Sequence, residues 1–212
     1  AQWASACLST GRVPTGHHFS GHLTSLLLKP GTPDFPSDPQ NPNDYRAITV
    51  GNTGEKLLEA IIYRRLMHWA VLNGLIPETQ AGFMEHMGAE HHVYSLLETI
   101  KNEWRQGRKC FAVFVDFKKA YDNIHLEALW AVLEHMGVPA KLLTLLKCWA
   151  SSRTTFIRAG DLWSEETATD KGTPQGSVLS PLLFNLFIAS LHRCLRNLSG
   201  WEGLKFQGRD GE

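Results

Sequence analysis

The chain has 212 residues, of which 43% are hydrophobic and 20% charged, and this composition excludes wholesale disorder and allows one substantial core. No apolar stretch approaches the roughly 18 residues that a membrane-spanning helix needs, so no membrane association is expected. The 21 Lys and Arg residues balance 21 Asp and Glu residues, which counts against a nucleic-acid partner unless one local cleft is basic.

The first half of the chain predicts a short helix, a hairpin and two longer helices. Residues 2–9 favour the short helix, and the runs 23–28 and 45–50 have strand character, with a loop rich in Pro, Asp and Asn between them. Asn52 and Glu55 have the spacing of a helix capping box. Apolar residues then recur at helical spacing over residues 58–69 and 93–104, and we interpret these stripes as core.

The second half begins with Cys110–Val115, a continuous apolar run that is typical of a strand buried on both faces. Two short helices follow, over 126–133 and from Pro139 to about Trp149, and then a pair of strands at 153–159 and 166–170. Ser180 is expected to cap a last helix that has Pro181 at its first position. Helices and strands are mixed without regular alternation, which predicts an α+β fold.

The cysteines and histidines do not suggest a structural metal site. Cys7, Cys110, Cys148 and Cys194 are scattered and contain no CxxC pair. A disulfide framework or a zinc site is therefore not indicated, and a reducing, intracellular compartment is expected. The pairs His17–His18 and His91–His92 match no familiar ligand spacing, so we interpret them as surface or helix-face residues.

Asp116 is the first candidate for chemistry, because it directly follows the apolar run. A carboxylate at the end of a rigid strand suits a divalent metal ion in phosphoryl transfer, which needs hard oxygen ligands on a stiff support. The alternative from position alone is an acid that caps the next turn.

Five sequence blocks, taken together, resemble the reverse transcriptase family. Phe111–Ile124 (FAVFVDFKKAYDNI) resembles its first catalytic motif and Gly172–Asn185 (GTPQGSVLSPLLFN) its next one. Further blocks match in the family's order at 26–31 (LLLKPG), 43–59 (NDYRAITVGNTGEKLLE) and 80–83 (QAGF). The early blocks look most like LINE-type non-LTR retrotransposon enzymes, with group II intron enzymes second.

The resemblance implies a right-hand polymerase fold. It implies a fingers-like part over residues 1–105 and an incomplete palm over 106–212, in one continuous domain. The family's aromatic-Ala-Asp-Asp hairpin and its thumb have no counterpart here, and Asp210 is interpreted as a turn residue. The chain is therefore expected to be a piece of a longer protein.

The resemblance also assigns roles to residues of the first motif. Asp116 would bind both catalytic metal ions, expected to be Mg²⁺ with Mn²⁺ as an alternative, and the backbone carbonyl of Phe117 would complete one coordination sphere. Tyr121 would lie beneath the incoming sugar and exclude a 2′-hydroxyl by steric contact. On its own, Tyr121 could equally be a half-buried core aromatic.

The remaining assignments concern the nucleotide. Arg46, together with Lys29, would contact the triphosphate, because a guanidinium donates two parallel hydrogen bonds to phosphate oxygens. Gln175 and Gly176 would form part of the nucleotide and template pocket, with glycine allowing close backbone approach. The alternatives are an ordinary strand-edge charge for Arg46 and a plain turn after Pro174.

The implied function is RNA-directed DNA polymerisation by the full-length parent protein. Its partners would be an RNA template, a DNA primer and deoxynucleoside triphosphates, with the nucleus or the cytoplasm as the site of action and an unspecified oligomeric state. An RNA-dependent RNA polymerase is the nearest enzymatic alternative, since Asp116 and Asp122 also have the spacing of its first motif. A non-catalytic RNA-binding or scaffold module derived from a polymerase is the other.

Residues 1–212 alone are expected not to polymerise. Two divalent ions repel each other and need several anionic ligands, whereas the resemblance supplies only Asp116. The measurement is primer extension by the purified 212-residue chain with an RNA template, deoxynucleotides and Mg²⁺. Extension products above those of a heat-inactivated sample would contradict this expectation.

Overall fold

The computed structural model describes residues 2–13, 21–32, 34, 36–159, 161–168 and 171–197. The helices are α1 (Gln2–Thr10), α2 (Thr53–Leu72), α3 (Ala89–Arg105), α4 (Leu126–His135), α5 (Ala140–Ser151) and α6 (Ser180–Arg196). The strands are β1 (Gly21–Leu28), β2 (Tyr45–Val50), β3 (Thr154–Ala159), β4 (Leu162–Trp163) and β5 (Thr167–Ala168). The α+β class is therefore confirmed. The predictions for His17–His18 and Asp210 lie outside the described residues.

All five described strands belong to one mixed sheet. β1 and β2 form the expected antiparallel hairpin, in register from Leu28 opposite Tyr45 to Leu23 opposite Val50. β3 lies parallel to β1 on its other side, and both β4 and β5 pair with β3. The sequence predicted β1, β2, β3 and β5. It predicted neither β4 nor the parallel pairing between β1 and β3, which joins segments about 130 residues apart.

The helices enclose one apolar core. α2 starts where predicted, because the Asn52 side chain accepts a hydrogen bond from the Glu55 amide at 2.9 Å. Its residues Leu58, Ile62 and Leu66 are fully buried, and each contributes about 1.5–3 kcal/mol of transfer free energy to folding. The remaining large, fully buried side chains come from α4, α5, α6 and the residue before α6: Leu129, Leu133, Leu145, Leu146, Trp149, Leu179, Leu182, Leu183 and Leu186.

A buried ion pair attaches the sheet to this core. His22 on β1 places Nε2 2.7 Å from Oε2 of Glu55 on α2, while its Nδ1 lies 3.1 Å from the Thr154 carbonyl oxygen on β3. Both partners are acceptors, so both ring nitrogens donate and the imidazole is protonated. Burial opposes that charge, but the hydrogen bond and charge of Glu55 outweigh it and raise the pKa of His22. Trp149 of α5 donates to Glu55 as well, at 3.2 Å.

The prediction of a buried strand at Cys110–Val115 was wrong. The structure gives this segment no regular structure, and Phe111, Val113, Phe114 and Val115 are exposed by between 72% and 86%. An apolar run becomes a buried strand only when other strands take up its backbone hydrogen bonds. Among the residues that the structure describes, no strand pairs with this one.

Two further expectations need correction. The apolar stripe of α3 is not core, because Val93, Leu97 and Trp104 are exposed by 56%, 48% and 75%. Ser180 does not cap α6 from outside: it is the first residue of the helix, and its hydroxyl donates to the Pro174 carbonyl at 3.0 Å. The Ser180 bond therefore ties the start of α6 to the turn before it. None of the described helices is long and apolar enough to cross a membrane.

Candidate active site

The turn at Gln175–Gly176 packs directly on the backbone of β2. The Thr49 amide donates to the Gln175 carbonyl at 2.8 Å. Gly176 has φ +127°, and a Cβ atom added there would lie 2.3 Å from the Thr49 carbonyl oxygen. Only glycine fits such an approach, both for its dihedral angle and for its lack of a side chain. Lys56 of α2 donates to the Gly176 carbonyl at 3.1 Å and holds the other side of the turn.

The same segment contacts the loop that follows Asp116. The Gly172 amide donates to the Ile124 carbonyl at 3.1 Å and the Thr173 amide to the Tyr121 carbonyl at 2.9 Å. Gly172 has φ +69°, and an added Cβ would lie 2.6 Å from the Tyr121 carbonyl oxygen. The two motifs that the sequence singled out are therefore joined backbone to backbone, some 50 residues apart along the chain.

A cleft of about 290 Å³ opens between the hairpin, this loop and the Gln175 turn. Four predicted nucleotide-binding residues line it together: Lys29, Arg46, Tyr121 and Gln175. Its other lining residues are Leu26, Pro42, Tyr45, Ala47, Lys119, Ala120 and Asp122. Gly176, the fifth predicted residue, lines two adjoining clefts. We call the 290 Å³ space the central cleft.

Tyr121 is held in a small group of aromatic rings. Its ring centroid lies 5.6 Å from that of Phe184 on α6 and 6.2 Å from that of Phe83, and Phe117 lies 6.2 Å from Phe184. Edge-on and tilted contacts at these separations are favourable and restrict the ring. The phenol is half-buried, and this burial raises the pKa of Tyr121. Tyr121 is therefore a fixed, neutral ring at the rim of the central cleft.

Similarity to known proteins agrees with this geometry. The sequence profile described as "Reverse transcriptase (RNA-dependent DNA polymerase)" matches residues 28–203. The chain belongs to the reverse transcriptase family. In Drosophila melanogaster, the probable RNA-directed DNA polymerase from transposon BS is 30% identical over 166 residues, which cover 78% of this chain and 18% of that protein.

Two other similarities bear on the type of element and on the fold. The Pol polyprotein of the R2 retrotransposable element of Popillia japonica is 28% identical over 92% of this chain and 26% of its own length. These relatives confirm the LINE-type, non-LTR assignment, and the chain spans 18% and 26% of their respective lengths. The apo telomerase structure from Candida tropicalis matches 90% of this chain and 43% of its own with a TM-score of 0.51 at 14% identity, in line with the right-hand polymerase fold.

Asp116 is not among the described residues that line the central cleft. It is exposed and follows directly after the Cys110–Val115 segment. Reverse transcriptases use divalent metal ions, but the described residues contain no group of three or more His, Cys, Asp or Glu side chains able to hold one. The donor set present in the described part of this domain therefore does not fit a metal ion without further ligands.

Arg153 is a buried residue of the site that sequence reasoning missed. It is 3% exposed, and its guanidinium donates to the Gly172 carbonyl at 3.0 Å and to the Ala150 carbonyl at 3.1 Å. It also lies 5.1 Å from the ring centroid of Trp149. Burial lowers the pKa of Arg153 to about 10, which still leaves it charged at neutral pH. The position after α5 offered no motif signal that could have identified it.

Two more anchors position the walls of the site. Asn185 of α6 donates to the Gly82 carbonyl at 2.9 Å and accepts from the Gln80 side chain at 3.0 Å. These bonds hold the QAGF loop, which contains Phe83, against α6. Glu59 of α2 accepts the Val178 amide at 3.1 Å, and burial raises the pKa of Glu59. The residue types of Asn185 and Glu59 do not by themselves predict these contacts.

Replacing Gly176 with alanine should detach the turn from β2. The new methyl group would overlap the Thr49 carbonyl, and the left-handed dihedral adds strain, so we expect a loss of about 1–3 kcal/mol in the free energy of unfolding. The measurement is urea unfolding, combined with hydrogen exchange of the Thr49 amide, which should speed up.

Gly74→Ala is the matched control for that substitution. Gly74 also has positive φ, at +58°, but no atom of the described residues lies within 4 Å of an added Cβ. It should therefore show only the backbone strain, about 1 kcal/mol, with unchanged exchange at Thr49. Equal exchange of the Thr49 amide in Gly176→Ala and in the parent chain would contradict the close-approach argument.

Proposed function

We propose that this domain is the nucleotide-binding part of an RNA-directed DNA polymerase encoded by a LINE-type retrotransposon. The observation that supports the proposal best is the central cleft, where two cations of the hairpin side face Tyr121 and Gln175. Those four residues come from four separate sequence blocks, and their convergence on one cleft is what a nucleotide site requires. The activity itself belongs to the longer protein.

In this proposal different walls of the central cleft contact different parts of the nucleotide. Arg46 and Lys29 bind the triphosphate, since both are cationic and line the hairpin side. Tyr121 lies against the sugar, where a ring fixed by Phe184 and Phe83 leaves no space for a 2′-hydroxyl. Gln175 and Gly176 border the base and the template nucleotide that pairs with it. Sequence is then read by base pairing, and the protein contacts backbone and shape.

Asp116 is proposed as one metal ligand of a larger set, with the Phe117 carbonyl as a second oxygen. Mg²⁺ prefers such hard oxygen ligands, and Mn²⁺ accepts them too. When bound, the ions would supply electrostatic stabilisation of the phosphoryl group that is transferred. Further carboxylates have to complete the set, because the described residues do not bring three candidate ligands together.

The same reasoning covers organisation and partners. Residues 1–105 are proposed as the fingers-like part and 106–212 as palm, with an RNA template and a DNA primer as the polymer partners. This division is supported by the central cleft, whose lining includes Lys29 and Arg46 from before residue 105 and Tyr121 and Gln175 from after it. We propose the nucleus as the site of action, since a retrotransposon must deliver its product to chromosomal DNA.

Asp116→Asn in the full-length protein tests the function. Removing the charge of a metal ligand should lower primer extension more than about a hundredfold, because loss of even an outer-shell partner of a metal ligand costs ten- to a hundredfold. The assay is extension of a DNA primer on an RNA template with deoxynucleotides and Mg²⁺. Asp161→Asn, an exposed acid between β3 and β4, is the control and should retain parental activity. Parental activity in Asp116→Asn would rule out the assigned role.

Tyr121→Val tests the sugar contact and separates this proposal from an RNA-dependent RNA polymerase. A smaller side chain opens space at the sugar, so the ratio of ribonucleotide to deoxynucleotide incorporation should rise about tenfold or more. Single-nucleotide extension with matched ribo- and deoxynucleoside triphosphates measures the ratio. Tyr94→Val, on an exposed face of α3, should leave it unchanged. An unaltered ratio in Tyr121→Val would argue against the sugar role.

A further inference from the structure

Lys119 adopts a backbone conformation that lysine seldom takes. Its φ is +49°, in the left-handed region, where a residue with a Cβ atom is strained by about 1 kcal/mol or more. The Asn123 amide donates to the Lys119 carbonyl at 3.0 Å and closes the turn around it. Strain of this kind persists where the surrounding structure needs the side chain in one particular place.

The side chain of Lys119 reaches across the central cleft to the hairpin. Its Nζ donates to Oδ1 of Asn43 at 3.2 Å, a contact between residues 76 positions apart. The Nζ of Lys29 donates to the backbone carbonyl of the same Asn43 at 2.6 Å. One asparagine therefore holds two ammonium groups on the lining of the same cleft, and Arg46 lies on that lining as well.

The charge of these three cations is not neutralised within the described structure. Asn43 offers only neutral oxygens, and none of the described ion pairs includes Lys29, Arg46 or Lys119. Among the described residues that line the cleft, Asp122 is the one carboxylate. The cleft wall thus carries a surplus of positive charge although the chain as a whole is neutral. A compact polyanion is the ligand that such a cluster favours.

We propose that Lys119 is a third phosphate-binding cation of the central cleft and that the Asn43 side chain is its positioning residue. This inference rests on the proposed nucleotide site and adds to it a residue that the sequence motifs did not assign. The triphosphate of the incoming nucleotide would be held by Lys29 and Arg46 from the hairpin side and by Lys119 from the loop after Asp116. Binding would therefore bridge two parts of the chain.

Lys118 provides a matched control, because it carries the same charge one position earlier. Lys118 and Lys119 are both exposed, but Lys118 is not among the residues that line the central cleft, and its carbonyl accepts a hydrogen bond from the Asn123 side chain at 2.8 Å. The sequence alone cannot distinguish the two adjacent lysines. The left-handed turn at Lys119 is what makes them differ.

The test measures the equilibrium binding of inorganic tripolyphosphate to the 212-residue chain in the absence of metal ions. Binding is measured by calorimetry at low ionic strength. Lys119→Met should weaken binding about tenfold, as expected for one charged hydrogen bond. Lys118→Met should change it less than about twofold, because an exposed charge outside the cleft is screened. Lys119→Arg should keep most of the affinity, and circular dichroism should show all variants folded.

A double-mutant cycle tests the role of Asn43. Asn43→Ala removes Oδ1 but keeps the backbone carbonyl that Lys29 uses, so binding should weaken by about threefold through Lys119 alone. In the Lys119→Met background the same change should have no further effect. Full additivity of the two substitutions would overturn the positioning role of Asn43.

The outcomes separate this inference from the proposed function. Equal losses for Lys119→Met and Lys118→Met, or no measurable tripolyphosphate binding by the parent chain, would overturn the phosphate role of Lys119. Neither result would affect the polymerase assignment, which is judged by primer extension with Asp116→Asn in the full-length protein. Loss of tripolyphosphate affinity in Lys119→Met with retention in Lys118→Met and Lys119→Arg would establish the inference.

Discussion

The arrangement of the site depends on the segment Gly172–Gly176. Its backbone contacts the backbone of two other segments directly, with no side chain between them. At one end Gly172 lies against the carbonyl of Tyr121, and at the other Gly176 lies against the carbonyl of Thr49. Such contacts are short because no Cβ intervenes, and they set the distance between the hairpin and the loop after Asp116. The width of the central cleft follows directly from them.

Buried charged side chains hold the Gly172–Gly176 segment and its surroundings in place. Arg153 donates to the Gly172 carbonyl, and Glu59 accepts a hydrogen bond from the Val178 amide. The His22–Glu55 pair attaches β1 to α2. Buried ion pairs add little net stability, because desolvation offsets most of their attraction. Removing one partner leaves an unpaired charge in the core, however. The free-energy penalty of that charge favours the single arrangement in which both partners meet. We infer that these residues serve the uniqueness of the fold more than its stability.

Sequence reasoning succeeded where local chemistry determines structure. The Asn52 cap, the β1–β2 hairpin and the helices α4 and α5 follow from capping groups, turn residues and apolar spacing, and all are confirmed. The convergence of Lys29, Arg46, Tyr121 and Gln175 was predicted only through the family resemblance. Arg153 was missed because its contacts come from long-range packing, and the contact between Lys119 and Asn43 was missed because it depends on a backbone angle. The Cys110–Val115 strand was predicted wrongly, since periodicity carries no information about the neighbours of a strand.

The exposed run Phe111–Val115 has a consequence for how this domain behaves in solution. Five consecutive apolar residues with high β-propensity, no proline and no charge meet the criteria of an aggregation-prone segment. Charged residues flank it closely, with Arg108 and Lys109 before and Asp116, Lys118 and Lys119 after. Flanking charges act as gatekeepers, because in-register stacking of copies of the segment would bring like charges together. The charges beside the first motif thus also oppose aggregation of the exposed segment, and raised salt, by screening them, weakens that effect.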